Sequence, residues 1–457
     1  MVNMVEENVH AVIRKARDAF DEGIWASMNL SERGINLKKT AQLIRKHAKQ
    51  LAQIESRDTG KTIKHTTFID VPTAADTFEY FGGLTNVLDK RKNRVEQPVK
   101  STVYYEPYGV VASIIPWNYP LIFAAWKAAP ALIAGNCVIL KASPVAHASV
   151  LKLAEIIGEA GFPEGVFNIL AQTDTQAAIE LVKSKDVDFV SFTGSNKAGR
   201  EVMKEAAAGT KKITLELGGK SPNIVFADCN MEAALGGTLS AGFLNQGQMC
   251  TAGSRILIEE SVYDEFLAKL VEKARALKIG DPLDYETQFG PLVNAEHRDK
   301  VLAYIHEALK EGAKIACGGK IPEGFSEGAY IEPTILTHVN NSMNCTQTEV
   351  FGPVVTVQKF GNEKEAVKLA NDCAYGLAAS VWTRDDAKAE RVSQQLKCGT
   401  VWINTYGMFL NEAPFGGYKQ SGFGRELGIE GVLEYTQAKH VCKDQTPGGV
   451  PLVSGWF

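Results

Sequence analysis

The sequence predicts an α/β fold built on parallel sheets. The chain has 457 residues, enough for two or three domains of about 100–200 residues each. Hydrophobic residues make up 45% of the chain, which is sufficient for a large buried core. From Val110 onward, short apolar strands alternate with helices. Strands of this kind, joined by helices, are typical of a parallel sheet covered on both faces.

Residues 8 to about 90 are predicted to be helical. Apolar residues recur at helical spacing in two groups, Val9, Val12, Ile13, Ala16 and Phe20, then Leu37, Ala41, Ile44 and Leu51. The segment Asp58-Thr-Gly-Lys breaks this pattern as a turn.

The alternation begins with a strand at Val110–Ile115, which Pro116 ends. Further strands are predicted at Cys137–Leu140, Val166–Ile169, Phe189–Phe192 and Ile213–Leu217. The intervening helices are predicted at Phe123–Ile133, Ala148–Glu159, Gln176–Val182 and Lys197–Ala208. Beyond Ser221 come strands at Arg255–Glu259, Val354–Lys359, Ala378–Thr383 and Thr400–Asn404, with helices at Val262–Leu277 and His297–Glu311. This continuation predicts a second α/β domain. The C-terminal tail Lys439–Phe457 is short and partly apolar, which favours packing against another subunit.

The charge and cysteine content argue against several classes of protein. The net charge of −4 comes without long runs of one sign, so neither nucleic acid nor a membrane is an expected partner. The eight cysteines and eight histidines form no CxxC, CxxH or HxxxH grouping. This argues against a disulfide scaffold or a metal site and fits a reducing compartment. The acidic N-terminus does not resemble a signal peptide, and no apolar run reaches the ~18 residues of a membrane span. We expect a cytoplasmic protein that acts on a small molecule.

Polar and Gly-rich segments follow several predicted strands: Pro116-Trp-Asn-Tyr-Pro, Lys141-Ala-Ser-Pro, Thr193-Gly-Ser-Asn and Gly218-Gly-Lys-Ser. In open α/β sheets, ligands bind outside the carboxyl ends of the strands. Every βα loop also needs turn residues, which is the alternative explanation. We predict a ligand-binding edge at these strand ends.

Cys250 lies among small and polar residues in Phe243–Arg255. Gly247 and Gly253 flank it and would let backbone and ligand approach closely. A cysteine that only packs in the core more often lies within an apolar run. For Cys250 taken alone, a packing role and a nucleophilic role both stay open.

Two polar side chains at strand ends have alternative interpretations as well. Glu216 ends an apolar strand, so it either pairs with a cation such as Lys220 or has a raised pKa that suits a general base. Asn118 either caps a helix or donates its amide to an oxyanion.

Glycines offer one weak dinucleotide-binding signal. Gly194 and Gly199 lie at the start of a predicted helix, whose N-terminal amides suit a pyrophosphate. Gly218-Gly-Lys-Ser is not a P-loop, because position 214 is Thr where that motif needs Gly.

Five motifs, in family order over nearly the whole chain, resemble the aldehyde dehydrogenase superfamily. They are Phe192-Thr-Gly-Ser, Leu215-Glu-Leu-Gly-Gly-Lys-Ser-Pro, Gly247-Gln-Met-Cys, Glu349-Val-Phe-Gly-Pro and Pro414-Phe-Gly-Gly-Tyr-Lys-Gln-Ser-Gly. Three segments look most like betaine-aldehyde and aminoaldehyde dehydrogenases: Asp58-Thr-Gly-Lys-Thr, Pro116-Trp-Asn-Tyr-Pro and Gly422-Phe-Gly-Arg-Glu-Leu-Gly. The resemblance implies a Rossmann-type cofactor-binding domain (residues 1–87 and 110–219), an α/β catalytic domain (220–431) and a small oligomerisation segment (88–109 and 432–457).

The resemblance implies NAD(P)-dependent oxidation of an aldehyde to a carboxylic acid. Cys250 would add as thiolate to the aldehyde, and the Asn118 amide with the Cys250 N–H would hold the oxyanion. After hydride transfer to the nicotinamide, Glu216 would activate the water that hydrolyses the thioester. Glu426 would assist proton movement.

The implied cofactor positions lie in the strand-end loops. Lys141 would contact the adenosine ribose, Trp117 and Ser195 the pyrophosphate, and Glu349 with Phe351 the nicotinamide ribose and ring. The remaining positions of this set are Pro144, Gly194, Gly199 and Leu217. NAD is the expected cofactor. NADP is possible, because Pro144 stands where many NAD-preferring relatives carry a glutamate that binds the ribose 2′-hydroxyl.

The implied substrate pocket contains Tyr119, Trp126, Leu244, Met249 and Phe415. Tyr119 and Trp126 match the aromatic box of betaine-aldehyde enzymes, whereas Leu244 and Phe415 stand where those enzymes often have tryptophan. The alternative is that Trp126 and Phe415 are ordinary core aromatics. We expect betaine aldehyde or another amino or trimethylamino aldehyde as substrate, and a homodimer or homotetramer. The alternatives are a broad-specificity aliphatic aldehyde dehydrogenase, a thiol esterase without cofactor, or a crystallin-like structural protein.

Overall fold

The computed structural model describes residues 8–170 and 175–448. These residues form three β-sheets, of three, six and seven strands, with helices packed against them. The two larger sheets are mainly parallel, so the expected α/β fold with Rossmann-type sheets is confirmed. Within the described ranges, no helix is both long and apolar enough to cross a membrane. The predicted C-terminal tail lies outside these ranges beyond residue 448.

The helices bury the apolar stripes that the sequence spacing predicts; Val9, Val12, Ile13 and Ala16 are all buried in the first one. The first eight are α1 (Val9–Asp21), α2 (Ile24–Ser27), α3 (Leu30–Lys46), α4 (Ala48–Thr59), α5 (Ile63–His65), α6 (Val71–Gly83), α7 (Pro120–Ile133) and α8 (Ala148–Ala160). The others are α9 (Thr175–Lys183), α10 (Asn196–Ala208), α11 (Met231–Phe243), α12 (Tyr263–Arg275), α13 (Ala295–Lys310), α14 (Asn344–Gln347), α15 (Glu363–Asn371), α16 (Asp386–Gln395) and α17 (Gly428–Glu434). A π-helical turn, Thr66–Asp70, joins α5 to α6.

The strands divide among the three sheets in blocks along the chain. The first eight are β1 (Arg91–Asn93), β2 (Val99–Pro107), β3 (Val110–Ile114), β4 (Cys137–Lys141), β5 (Phe167–Leu170), β6 (Phe189–Thr193), β7 (Lys212–Glu216) and β8 (Pro222–Val225). The others are β9 (Arg255–Glu259), β10 (Lys314–Cys317), β11 (Thr334–Thr337), β12 (Val354–Phe360), β13 (Ala378–Trp382), β14 (Thr400–Ile403), β15 (Gly422–Phe423) and β16 (Thr436–Asp444).

The six-stranded sheet has the order β15-β7-β6-β3-β4-β5, and all its neighbours are parallel except β15 and β7. Strands β3, β4 and β6 are buried throughout. They are continuous apolar runs, which is why the sequence predicts them to within one residue. The order reverses direction at β3, with β4 on one side and β6 on the other. Such a switch point opens a ligand crevice at the carboxyl ends of the strands.

The seven-stranded sheet has the order β10-β11-β12-β9-β8-β13-β14. The chain passes directly from the carboxyl end of β7 to the amino end of β8, through residues 217–221. Carboxyl ends of the first sheet therefore meet amino ends of the second. Cys250 lies before β9 and Glu349 before β12, so both belong to amino-end loops.

The three-stranded sheet, β1-β2-β16, is antiparallel and was not predicted as strands. From Gln437 to Asp444, every residue of β16 is exposed, so no hydrophobic alternation marks this strand in the sequence. β2 and β16 pair along their whole lengths. They lie in the two segments predicted to mediate oligomerisation, and both that role and the domain division stay predictions.

We expect Gly422→Ala to weaken the β15–β7 pairing. Gly422 has a φ of 117°, and an added Cβ would lie 1.9 Å from the Leu215 carbonyl oxygen. The variant should lose about 1–3 kcal/mol of unfolding free energy, the range for a strained backbone residue. Urea unfolding followed by circular dichroism measures the change. Gly236→Ala is the control: an added Cβ at this α11 position has nothing within 4 Å, so the variant should gain up to about 1 kcal/mol. An unchanged midpoint for Gly422→Ala would contradict the pairing.

Candidate active site

The loop that carries Cys250 is strained and tightly packed. Asn245 and Gln246 have φ values of 50° and 53°, and Gly247 follows with a φ of 68°. An added Cβ at Gly247 would lie 2.2 Å from the carbonyl oxygen of Gly352. Non-glycine residues in this region of backbone space cost energy and persist only where the surroundings hold them. The loop backbone therefore has one well-defined conformation in the residues that lead to Cys250.

Asn118 holds this loop from the other sheet. Its Nδ2 donates to the carbonyl oxygen of Gln248 at 2.9 Å, and Asn245 Nδ2 donates to the carbonyl oxygens of Asn118 and Gln248, each at 3.2 Å. Asn118 follows β3 and is 2% exposed. The Gln248 acceptor fixes which end of the Asn118 amide points at the loop. The two sheets are thus joined two residues before the thiol.

Hydrogen-bond donors remain near the thiol for an oxyanion. The Asn118 Nδ2 has a second hydrogen besides the one given to Gln248. The backbone N–H of Cys250 has no acceptor among the described residues. A side-chain amide bonded two residues from the candidate nucleophile, and the nucleophile's own backbone N–H, are the types of donor that an oxyanion hole requires.

The Cys250 thiol is neutral at rest. Burial, followed by the negative charges of Glu349 and Glu216, raises its pKa above the ordinary value for cysteine. A hydrogen bond from the Thr251 N–H opposes this rise. The thiolate expected from the sequence therefore forms only when a base takes the proton. Cys137 and Cys229, by contrast, are buried as their apolar surroundings predict.

Glu216 is a buried carboxylate at the end of β7. It is 3% exposed, and neither carboxylate oxygen has a hydrogen-bond partner among the described residues. Burial, and then the charge of Glu426, raises its pKa well above the ordinary value, while Lys127 and Arg425 oppose the rise. Of the two sequence-based alternatives, the raised pKa holds and pairing with Lys220 does not. Lys220 Nζ is itself without a hydrogen-bond partner in the described structure.

Glu426 pairs with a lysine that the sequence analysis missed. Lys127 lies in α7, is fully buried, and contacts Glu426 Oε1 while donating to Ser191 Oγ at 2.9 Å. The second oxygen of Glu426 has no hydrogen-bond partner among the described residues. A lone lysine in an otherwise apolar helix was a usable signal, because a buried ammonium needs a counterion.

Glu349 and Phe351 lie on the other side of the Cys250 loop. Glu349 Oε1 accepts the Gly219 N–H at 3.0 Å, and burial raises its pKa to about 7. An added Cβ at Gly219 would lie 2.2 Å from the Cys250 carbonyl oxygen. The turn at Gly218 and Gly219 therefore brings Glu349, Cys250 and the end of β7 together.

His297 is a second residue that the sequence analysis missed. Its Nε2 lies 2.7 Å from the carbonyl oxygen of Phe351, a residue with a φ of 56°. The rings of His297 and Phe351 each lie 5.3 Å from the ring of Trp117. Burial lowers the pKa of His297, which favours a neutral imidazole. No local motif in the sequence marks His297, because its partners are distant along the chain.

The loop between β6 and α10 fits a pyrophosphate. Ser195 caps α10 by accepting the Ala198 N–H, which leaves the first two helix N–H groups without intrahelical acceptors. An added Cβ at Gly199 would lie 2.5 Å from Leu217 Cδ2, so this helix approaches the sheet edge as closely as glycine allows. The Gly194 N–H donates to the carbonyl oxygen of Glu216, which ties this loop to the strand of the candidate base.

Two further predicted cofactor positions follow β4. Lys141 is 5% exposed, and its Nζ donates to the carbonyl oxygen of Ala142 at 3.1 Å. Pro144 is exposed and leaves the ribose 2′ position without a carboxylate from that residue. Both lie on the edge of the sheet that carries Trp117 and Ser195.

An aromatic cluster forms the candidate substrate pocket. The Trp126 ring lies 5.5 Å from both Phe409 and Phe415, and 5.7 Å from Phe123. Trp126 and Phe415 are each 4% exposed, so the core-aromatic alternative describes most of their surface. Tyr119 and Leu244 are half-buried, and Met249 is buried.

Phe409 and Tyr406, which are both half-buried, were not predicted from the sequence. Tyr406 donates its hydroxyl to the carbonyl oxygen of Thr251, next to the catalytic cysteine candidate. These two residues follow strand β14. The strand-end rule that located the other loops would have found them there.

A family model named the aldehyde dehydrogenase family matches residues 2–441. The chain belongs to the aldehyde dehydrogenase family. This confirms the family, the fold and the enzyme class that the sequence motifs implied. A thiol esterase would need a histidine paired with the thiol, and among the described residues no histidine hydrogen-bonds Cys250.

Several members of the aldehyde dehydrogenase family are similar over nearly their whole length. The betaine aldehyde dehydrogenase of Bacillus subtilis is 45% identical, covering 99% of this chain and 92% of that protein. The betaine aldehyde dehydrogenase of Vibrio vulnificus is 44% identical, covering 92% of this chain and 86% of that protein. A crystal structure of the Staphylococcus aureus betaine aldehyde dehydrogenase in complex with NAD+ has a TM-score of 0.95 at 41% identity, covering 99% of this chain and 89% of that one.

Alkylation should report the neutral state of the dehydrogenase thiol. We expect the rate of Cys250 carboxamidomethylation to rise about tenfold per pH unit between roughly pH 7 and 9, since only the thiolate reacts. Glu216→Gln removes one of the charges that raise the thiol pKa, so it should react faster at each pH. Peptide mass spectrometry measures the modification, with Cys250→Ser as the control for the other cysteines. A plateau below about pH 8 would show a stabilised thiolate instead.

Proposed function

We propose that this aldehyde dehydrogenase oxidises betaine aldehyde, or a closely related trimethylammonio aldehyde, to the carboxylic acid with NAD as cofactor. One observation carries the chemistry: one Asn118 amide hydrogen and the Cys250 N–H are available as donors, and the buried Glu216 carboxylate, without a hydrogen-bond partner among the described residues, is close enough to raise the thiol pKa. The betaine aldehyde dehydrogenases that resemble this chain from end to end support the substrate. The NAD+ complexes of similar structures support the cofactor.

The first step adds the Cys250 sulfur to the aldehyde carbonyl carbon. Glu216 takes the thiol proton, because its raised pKa makes its ionised form a stronger base than an ordinary carboxylate. Negative charge develops on the carbonyl oxygen, where Asn118 Nδ2 and the Cys250 N–H donate to it. Each such donor contributes about 3–4 kcal/mol of transition-state stabilisation.

The cofactor-binding residues have separate tasks. The α10 amides and the Ser195 loop hold the pyrophosphate, Lys141 holds the adenosine ribose, and Glu349 accepts hydrogen bonds from the nicotinamide ribose. Trp117 and Phe351 form an apolar wall that excludes water. NAD, when bound, accepts the hydride that leaves the thiohemiacetal carbon.

The last step hydrolyses the thioester on Cys250. Glu216 removes a proton from the attacking water, and the same two N–H donors hold the second oxyanion. The C–S bond breaks, the thiol is restored by a proton, and the acid leaves. The Lys127 ammonium stabilises the ionised form of Glu216, which the charge of Glu426 opposes, and the Glu426 carboxylate accepts the proton from Glu216.

Aromatic rings account for a preference for a cationic head group. The half-buried rings of Tyr119 and Phe409 lie at the edge of the cluster centred on Trp126 and Phe415. Cation–π contact is worth about 0.5–2 kcal/mol for each ring. Leu244, which replaces an aromatic ring of related enzymes, keeps one side of the pocket purely apolar.

Assembly and location belong to the same proposal. The exposed strand β16 and its partner β2 offer a long sheet surface, which fits a homodimer or homotetramer built through residues 88–109 and 432–457. A cytoplasmic location fits the eight free cysteines of the described chain.

A matched pair of aldehydes tests the substrate. Betaine aldehyde and 3,3-dimethylbutanal have nearly the same shape, but only the first is a cation. We expect kcat/KM, corrected for aldehyde hydration, to favour betaine aldehyde by at least about tenfold because of cation–π attraction. NADH formation followed by absorbance measures both. Equal values would favour the broad aliphatic enzyme, and no NADH with either aldehyde would contradict the dehydrogenase assignment.

Replacing the base should separate the two halves of the reaction. With Glu216→Gln we expect the initial burst of NADH, up to one per active site, to form more slowly, because the thiol loses its base, and steady-state turnover to fall at least about 100-fold, because general-base catalysis contributes 10²–10⁴-fold. Rapid-mixing absorbance measures burst and steady state. Cys250→Ala is the control, with no burst but retained NAD binding. A burst as fast as that of the original protein would contradict the role of Glu216 as base for the thiol, and an unchanged steady state would contradict its role in hydrolysis.

A further inference from the structure

A buried ion cluster packs against Tyr119, next to the Asn118 loop. Lys61 Nζ lies 2.9 Å from Glu55 Oε1 and also pairs with Asp70 Oδ2. His65 Nε2 lies 3.4 Å from Asp70 Oδ1. All four side chains are at most 3% exposed. Replacing such a cluster by apolar residues is often neutral or stabilising, so stability alone does not explain it.

Tyr119 lies between this cluster and the catalytic cysteine. Lys61 Nζ lies 4.3 Å from the centroid of the Tyr119 ring, and the His65 ring lies 5.5 Å from it. The Tyr119 hydroxyl is close enough to Asp70 and Cys250 that, after burial, their charges raise its pKa. One aromatic ring therefore separates the buried ions from the space that the aldehyde must enter to reach Cys250.

The cluster also sits at the junction of the two sheets. The Ile63 N–H donates to the carbonyl oxygen of Pro282, and an added Cβ at Gly60 would lie 2.5 Å from the carbonyl oxygen of Pro291. The turn that carries Lys61 is thus held on both sides.

We propose that Lys61, held by Glu55 and Asp70, is a positioning residue that fixes Tyr119 and sets the electrostatic potential met by a cationic aldehyde. The inference rests on the proposed trimethylammonio substrate. A single ammonium behind the ring would repel that substrate across roughly 8–10 Å. The two carboxylates outweigh the one ammonium and reverse the sign of the electrostatic potential, so the pocket attracts a cation. Specificity for charge then comes from side chains that do not touch the substrate.

Substitutions that change the charge count in opposite directions test this. Asp70→Asn removes one negative charge, Lys61→Met removes the positive charge, and the double variant restores the original count. The measured quantity is the ratio of kcat/KM for betaine aldehyde to that for 3,3-dimethylbutanal, at one fixed pH for all variants. We expect the ratio to fall on the order of tenfold in Asp70→Asn and to rise in Lys61→Met. The double variant should return to within about threefold of the original protein.

Asp76→Asn is the matched control, because Asp76 carries the same charge on α6 but pairs with Arg45 at the exposed surface. Its ratio should not change. Circular dichroism and NAD binding confirm that each variant folds, and Asp70→Asn with the double variant decides the test if Lys61→Met does not. Equal losses for both aldehydes, or a double variant no closer to the original than the single ones, would overturn the role of Lys61. If the original protein already treats both aldehydes alike, the substrate assignment fails instead.

Discussion

The hydrogen bond from Asn118 Nδ2 to the Gln248 carbonyl oxygen joins the two halves of the active site. One partner follows a strand of the six-stranded sheet, and the other precedes a strand of the seven-stranded sheet. The left-handed residues Asn245 and Gln246 persist because this bond and the Asn245 amide hold the loop from both sides. The position of the thiol relative to its oxyanion donors depends on it. A shorter or apolar side chain at position 118 would therefore cost both geometry and charge stabilisation.

The charges around the Cys250 thiol lower its reactivity before the substrate binds. Burial, followed by the charges of Glu349 and Glu216, raises the pKa of the half-buried Cys250 thiol, which favours keeping the proton on sulfur. Burial, and then the charge of Glu426, raise the pKa of Glu216 as well. Among the described residues, Lys127 pairs with Glu426, and the Lys220 ammonium opposes the rise in the pKa of Glu349. Proton transfer, and not a pre-formed thiolate, thus becomes the step that the substrate must trigger.

The sequence predicted what local patterns encode. Apolar strands gave β3, β4 and β6, and the loops after them led to Asn118 and Ser195, while family motifs added Cys250 and Glu216. The sequence did not predict the exposed strand β16, because pairing with β2 replaces the hydrophobic alternation that marks other strands. His297 escaped prediction for a similar reason, since its contacts with Trp117 and Phe351 join residues far apart in the chain. Strand order and long-range pairing cannot be predicted from any short segment of the sequence.

The short strand β15 has a consequence for motion. It comes from the chain segment that follows the seven-stranded sheet, yet it pairs with β7 of the six-stranded sheet. Ser421 lies beside it; its carbonyl oxygen accepts the Leu217 N–H, and its hydroxyl donates to the Gly218 carbonyl oxygen. The two sheets are therefore latched to each other at the strand that ends in the base. A hinge that opened the cleft would have to break this latch first. We therefore expect cofactor exchange to occur by movement of local loops, while the two sheets stay joined through β15.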